Sequence, residues 1–132
     1  MQQRITIIRI NKPLKREVNA ELQWLGTSLD LFGLRDKDKS CFRLFVELVK
    51  NLRHQEQLTS DELAHKLNLS RGTVIHHLAK LMDAGIVLHE RNRYLLRVGK
   101  LEAMIEEMQK DSERMFDDLM DIAKDIDERL GL

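Results

Sequence analysis

The stretch from Leu58 to Arg97 constrains the fold most, because capping and turn residues divide it into four short elements. Thr59 and Glu62 stand three residues apart before an apolar pattern, which suits a capping box that opens a helix. Ser70 is a good N-cap for a second helix, and Gly85 lies where a left-handed residue ends one. Two β-rich runs follow. The stretch therefore predicts helix, turn, helix and β-hairpin.

The second helix and the hairpin have distinct patterns. Apolar residues at helical spacing mark the inward face of the helix: Val74, Leu78, Leu81 and Met82. The hairpin runs are 86–88 and 94–96, and Arg91-Asn92-Arg93 lies between them as the turn. This order is that of a winged helix-turn-helix, in which the second helix enters the DNA major groove.

The same residues resemble a family. This chain is similar to the recognition-helix pattern of ArsR-like winged-helix regulators at the following residues: Ser70-Arg71-Gly72-Thr73-Val74, His77-Leu78, Leu81 and Ala84-Gly85-Ile86-Val87. The chain most resembles small archaeal members of that class, most closely from Thr59 to Val98. The resemblance implies a transcription factor, with repression as the commoner mode. Metal-sensing members carry a Cys-x-Cys pair, whereas this chain has one cysteine, Cys41, so we expect no metal site and no cofactor.

The predicted DNA contacts lie on the second helix and the hairpin. After Ser70 the first helical turn exposes Arg71, Gly72 and Thr73, where free N–H groups and the helix dipole favour a phosphate. The resemblance implies that Thr73, Ile75 and His76 read bases, Ile75 against a thymine methyl and His76 at a purine edge. The expected backbone or groove contacts are Arg71, Lys80, Arg91 and Arg93. His77 has two interpretations, a partly buried structural residue, which we favour, or a DNA contact.

Net charge is zero, which by itself argues against a nucleic-acid partner, but the charge is unevenly distributed. Residues 1–99 hold 17 Lys and Arg against 11 Asp and Glu, a net of +6. Residues 100–132 hold 5 against 11, a net of −6. Local basic surface matters more for DNA affinity than the total. We therefore expect double-stranded DNA as the partner of the basic part.

Composition limits the classes of protein to which this chain could belong. At 132 residues with 42% hydrophobic and 33% charged residues, a single globular domain is expected. The sequence contains no run of about 18 apolar residues, so we do not expect a membrane span. The lone cysteine suits a reducing cytoplasm. The chain contains no GxSxG, HExxH, Walker or dinucleotide motif, so we do not expect an enzyme.

The N-terminal third leaves alternatives open. Residues 1–12 alternate isoleucines with arginines and could form a strand on another sheet edge or a loosely held arm. Pro13 suits the first turn of a helix, and an apolar stripe from Val18 to Phe32 follows. That stripe covers either the domain's own core or a second subunit. Gly26 weakens this helix unless it permits a close helix contact.

Two further helices are predicted. The first spans Lys37 to Arg53, capped by Asp36 or Asp38, with a core face of Phe42, Phe45, Val46 and Val49 and with Leu44, Leu48 and Leu52 alongside. The second spans Lys100 to Leu130, about 45 Å at 1.5 Å per residue. Its heptad seam predicts a dimerisation contact through Leu101, Ile105, Met108, Met115, Leu119, Ile122 and Ile126. The alternative is packing on the N-terminal helix of the same or another chain.

These patterns combine into one prediction. The fold is mainly α with a small β-hairpin: an N-terminal arm and helix (1–35), a winged helix-turn-helix domain (36–99) and a coiled-coil-like dimerisation helix (100–132). The function is that of a sequence-specific, homodimeric DNA-binding regulator, with any small-molecule effector unknown. The alternatives are a winged-helix module that binds protein without DNA, and a ligand-gated sensor.

Overall fold

The computed structural model describes residues 2–32, 38–54 and 56–132. Its elements are α1 (Val18–Ser28), α2 (Ser40–Leu52), α3 (Ser60–Leu67), α4 (Arg71–Asp83), β1 (Val87–Glu90), β2 (Arg93–Leu96) and α5 (Leu101–Leu130). The fold is mainly α with a winged helix-turn-helix and a long C-terminal helix, which confirms the predicted fold class.

The caps of α3 and α4 form as predicted. The Thr59 hydroxyl accepts from the Glu62 N–H at 3.1 Å, and the Ser70 hydroxyl accepts from the Thr73 N–H at 3.1 Å. Each bond satisfies a donor that has no partner inside its helix. Gly85 follows α4 with φ +79, and a Cβ there would lie 2.6 Å from the Gln3 side-chain nitrogen. The left-handed backbone favours glycine here, and a larger residue would also displace the Gln3 side chain.

The hairpin closes on a two-residue turn. β1 and β2 pair antiparallel, with Glu90 opposite Arg93 at the end of the ladder. Arg91 and Asn92 both have positive φ, 48 and 68, which is the pattern of a type I′ turn. Leu58 forms a bridge to Tyr94, so the chain just before α3 is fastened to the hairpin. We call residues 87–96 the wing.

One hydrophobic core fixes the orientation of α4. Val74, Leu78 and Leu81 are fully buried on its inner face, as predicted, while Met82 is half-buried. They pack with side chains from α2, α3, the wing and α5 in one cluster. The remaining face of α4 is therefore directed away from the core.

Helix α2 differs from its prediction. It begins at Ser40; the predicted first residue Lys37 and the cap candidate Asp36 lie outside the described residues. The other candidate, Asp38, does not cap the helix, because the N-cap is Lys39 with a left-handed backbone and no side-chain cap bond. The fully buried face is made by Cys41, Leu44, Phe45 and Leu48, whereas Phe42, Val46 and Val49 are half-buried. α2 contacts α3, α4 and β2, and these neighbours decide which face is buried.

The N-terminal arm, residues 2–17, is described throughout and contains no strand. The Arg4 N–H donates to the Asp83 carbonyl at 2.8 Å and the Ile8 N–H to the Ser28 carbonyl at 2.7 Å. The Trp24 indole donates to the Asn11 carbonyl at 3.0 Å, so the arm runs back along α1. The chain must then reverse direction after Asn11, and α1 begins only at Val18, not at Pro13 as predicted.

The stripe on α1 divides into two parts. Leu29, just after the helix, is buried in the core, whereas Val18 at its start is exposed. A Cβ on Gly26 would lie 2.6 Å from the Phe42 ring, so glycine permits the close contact with α2 that the sequence analysis considered. The rings of Phe32 and Phe42 lie 4.7 Å apart beside it.

Helix α5 also divides into two parts. Met104, Met108 and Asp111 are buried against the rest of the chain, and Leu101 packs on the same core. From Phe116 onward every residue is exposed. Met108, at 4% exposure, packs in this chain's own core, so its side chain is covered without a second subunit. The exposed part of the predicted seam is Leu119, Ile122 and Ile126, with Ile105 partly exposed.

Candidate nucleic-acid interface

The first turn of α4 presents a polar, open surface. Ser70, Arg71 and Gly72 are exposed, and nothing lies within 4 Å of a Cβ built on Gly72. The Ser70 hydroxyl also donates to the Thr73 hydroxyl at 2.8 Å, which leaves the Thr73 hydrogen to reach an outside acceptor. No contact inside the fold requires glycine at position 72.

The outer face of α4 continues this surface. Ile75 is 39% exposed at the edge of the buried face, and His76 is exposed on the side opposite the buried Val74 and Leu78. An exposed isoleucine offers an apolar contact for a thymine methyl. The predicted base-reading residues Thr73, Ile75 and His76 therefore all lie outside the fully buried face of α4.

His77 is held inside the protein. Its Nε2 lies 2.6 Å from the Ser40 hydroxyl, and its side chain is half-buried. This bond ties α4 to the first residue of α2. The structural interpretation of His77 is confirmed.

Lys80 is placed differently from its prediction. Its ammonium donates to the Asp30 carbonyl at 2.5 Å, and its side chain is half-buried. The bond directs it toward the chain just after α1, apart from the residues of the first turn. A phosphate contact by Lys80 would require this bond to open.

The wing places its two arginines in different surroundings. Arg91 is exposed at the turn and makes no ion pair with any residue of the described ranges. Arg93 donates to the Gln57 carbonyl at 2.8 Å, and the same nitrogen lies 3.6 Å from a Glu62 carboxylate oxygen. Arg91 is therefore the more available cation, and Arg93 is shared with α3.

The comparison with known families agrees with this geometry. Residues 46–88 match the family model described as bacterial regulatory protein, arsR family. This chain carries an ArsR-family helix-turn-helix domain. The matched residues, about a third of the chain, include all of α3 and α4. No curated protein and no solved structure was found to match. The ArsR-like chain is thus a DNA-binding transcriptional regulator in general terms.

Two acidic residues beside the ArsR-like recognition helix were not predicted as part of the site. The Arg71 side chain lies 3.5 Å from Asp61, and Arg93 lies 3.6 Å from the adjacent Glu62. Both carboxylates belong to the first turn of α3, where the helix dipole favours negative charge. Their position after Thr59 is visible in the sequence, but their arginine partners become identifiable only in the fold. They offset two of the cations on the candidate DNA face.

A second missed group lies around Asp111 in α5, which is 5% exposed. Its carboxylate accepts from Arg97 at 2.5 Å, from the Gln3 amide at 2.8 Å and from Arg114. The hydrogen bond from Arg97 is the main cause that lowers the pKa of Asp111; burial opposes this effect, and the Gln3 bond and the charges of Arg97 and Arg114 add to it. We call these residues the Asp111 cluster. It connects the arm, the end of the wing and α5.

Among residues 2–32, 38–54 and 56–132, no group of three or more His, Cys, Asp or Glu side chains is arranged to hold a metal ion. Within the same ranges, no helix combines the length and apolar character needed to cross a membrane.

Proposed function

We propose that the protein is a homodimeric, sequence-specific DNA-binding regulator that acts as a repressor. One observation carries the proposal: the outer face of α4 begins with an N-capped, open turn of Arg71, Gly72 and Thr73, while its inner face is fully buried. A helix held this firmly with polar residues outward can enter a major groove without rearrangement. Repression follows from the resemblance, and a cytoplasmic location follows from action on chromosomal DNA.

The exposed residues divide into two roles. Thr73, Ile75 and His76 contact base edges and set sequence preference. Arg71, together with Arg91 and Arg93 of the wing, contacts phosphates or the adjacent minor groove and sets affinity and register. Base contacts change which sequence is bound, whereas phosphate contacts change how strongly any sequence is bound. The roles are therefore separable by experiment.

The dimer in this proposal forms through the exposed half of α5. Leu119, Ile122 and Ile126 are 63%, 58% and 49% exposed, and such apolar side chains favour a protein contact over water. A two-fold dimer presents two copies of α4, which read a pseudo-palindrome with half-sites about 34 Å apart, one turn of DNA.

The proposal is tested by point variants in gel-shift titrations at several salt concentrations. Thr73→Ala and His76→Ala should relax the preference at one or two base pairs, each costing about 1–3 kcal/mol of discrimination. Arg91→Ala and Arg93→Ala should weaken binding to all sequences and lower the salt slope by roughly one unit each.

The matched control is Lys50→Ala, which removes an exposed cation from α2. It should leave both preference and salt slope unchanged. If all four variants bind like the parent protein, the outer face of α4 and the wing are not the DNA interface.

A further inference from the structure

Two apolar surfaces stay exposed among the described residues of the chain. The first lies on the arm and the start of α1, and we define the arm surface as Ile7, Ile8, Ile10, Leu14 and Val18. The second lies on α5 beyond Met115, and we define the α5 tip surface as Phe116, Leu119, Met120, Ile122, Ile126 and Leu130. Exposed apolar patches of this extent mark interaction sites.

The segments that carry the two surfaces have opposite charge. Residues 2–17 hold five basic residues and one acidic residue, a net of +4. Residues 116–132 hold six acidic and two basic residues, a net of −4. Pairing two α5 tips would bring −4 against −4, which is unfavourable. Pairing a tip with an arm brings complementary charge together, which favours association.

The arm surface is organised before any partner binds. The arm is bound to its own chain through the Arg4 and Ile8 amides and the Asn11 carbonyl, so its surface is already fixed. A partner does not need to order it first.

From this complementarity we propose that the α5 tip surface of each copy docks on the arm surface of the other. The proposal rests on the homodimer above and identifies the surface that α5 contacts within it. Two-fold symmetry makes the contact twice, once for each tip. Dimerisation then depends on ionic strength, since opposite charges flank both surfaces.

The test uses charge reversal on each side, with self-association measured by sedimentation equilibrium at low salt. The arm variant is Arg9→Glu with Lys12→Glu, and the tip variant is Asp117→Lys with Asp118→Lys. Each variant alone should dimerise at least about tenfold more weakly, because like charges then face each other at both contacts. The control Lys50→Glu with Arg53→Glu makes the same charge change on α2 and should leave the dimer intact.

Mixing the two variants gives the sharpest readout. A mixed dimer has one parental contact and one contact with both charges reversed, so an equimolar mixture should regain dimers, detected as the mixed species by native mass spectrometry. Circular dichroism of each variant checks that the fold is unchanged. If the arm variant dimerises like the parent and mixing adds nothing, α5 does not dock on the arm.

The outcome for the homodimer itself is separate. Leu119→Asp with Ile122→Asp should give monomers in the same centrifuge experiment whichever surface α5 contacts. A parent protein that sediments as a monomer at every concentration overturns the homodimer and the docking together. If the parent protein dimerises and the arm variant dimerises equally well, the docking is wrong but the homodimer stands.

Discussion

Arg91 occupies a backbone conformation that arginine disfavours. At φ 48 it is the first central residue of the wing turn, a position at which Asn, Asp and Gly are preferred. A left-handed backbone costs an ordinary residue roughly 1–2 kcal/mol. The turn would close more favourably without arginine, and the side chain makes no ion pair with any described residue. A cation retained at such a cost is what a DNA-contacting wing tip requires.

We therefore predict that Arg91→Asn changes stability and binding in opposite directions. The free energy of unfolding, from urea denaturation, should rise by about 0.5–1 kcal/mol because Asn tolerates the left-handed backbone. DNA affinity should fall for all sequences because a phosphate contact is lost. A variant that is more stable and binds with full affinity would remove the wing tip from the interface.

Asp111 gives a prediction on pH. Its pKa is lowered in the folded protein, chiefly by the hydrogen bond from Arg97. A carboxylate with a depressed folded pKa contributes stability above its unfolded pKa of about 3.9, and this contribution is lost as pH falls through the lower folded value. Asp111→Asn should therefore destabilise the protein by roughly 2 kcal/mol at neutral pH, because charge-assisted bonds become neutral ones.

The measurement is urea unfolding of parent and variant from pH 7 down to pH 2. The difference between them should shrink progressively below about pH 4, as the parental carboxylate becomes protonated. Glu113→Gln, an exposed carboxylate on the same helix, is the control and should have little effect. An Asp111→Asn difference that is constant across this range would contradict the ionised hydrogen bond as its source.

At the scale of elements, α3 places two carboxylates beside arginines of the proposed DNA surface on α4 and the wing. Asp61 and Glu62 hold Arg71 and Arg93 in exposed ion pairs, which contribute little to stability. The carboxylates also add negative charge close to the expected position of the phosphates. Releasing the two arginines therefore alters binding more than folding.

We predict that Asp61→Asn with Glu62→Gln raises DNA affinity for all sequences and steepens the salt dependence. The free energy of unfolding should fall by only about 0.3–1 kcal/mol, since two charges at the helix N-terminus are lost. Fluorescence anisotropy with labelled duplexes at several salt concentrations measures the first effect, with Glu128→Gln on α5 as control. Unchanged or weaker affinity would show that these carboxylates do not face DNA.

The elements also differ in how much the sequence revealed of them. The caps at Thr59 and Ser70 and the buried face of α4 were predictable because they depend on residues within four positions of one another. The start of α2, the late start of α1 and the division of α5 were not. The late start of α1 depends on the arm lying along that helix, and the division of α5 depends on the Asp111 cluster; both join residues distant in sequence.

The candidate site was predictable to a similar degree. The outer residues of α4 followed from its inner face, because the helical period places them opposite. The contacts of Lys80 with the Asp30 carbonyl and of Arg93 with Glu62 were not predictable, because the helical pattern of α4 does not show which other elements supply side-chain partners.

On the scale of the whole molecule, the zero net charge is the sum of a basic part, residues 1–99, and an acidic part, residues 100–132. The winged helix-turn-helix and the arm carry the basic excess, and α5 carries the acidic excess, most of it on the exposed tip. The Asp111 cluster holds the two halves together at the end of the wing. DNA should therefore meet α4 and the wing and be repelled from the α5 tip.

This account is tested most directly by mapping amide chemical shifts when a duplex obtained by in vitro selection is added to the isotopically labelled protein. We predict that the largest changes fall on residues 70–76 and 91–93, with the tip from residue 116 onward unchanged. The absence of any selected duplex, or changes centred on α5 with 70–76 unaffected, would contradict the claim that α4 reads DNA.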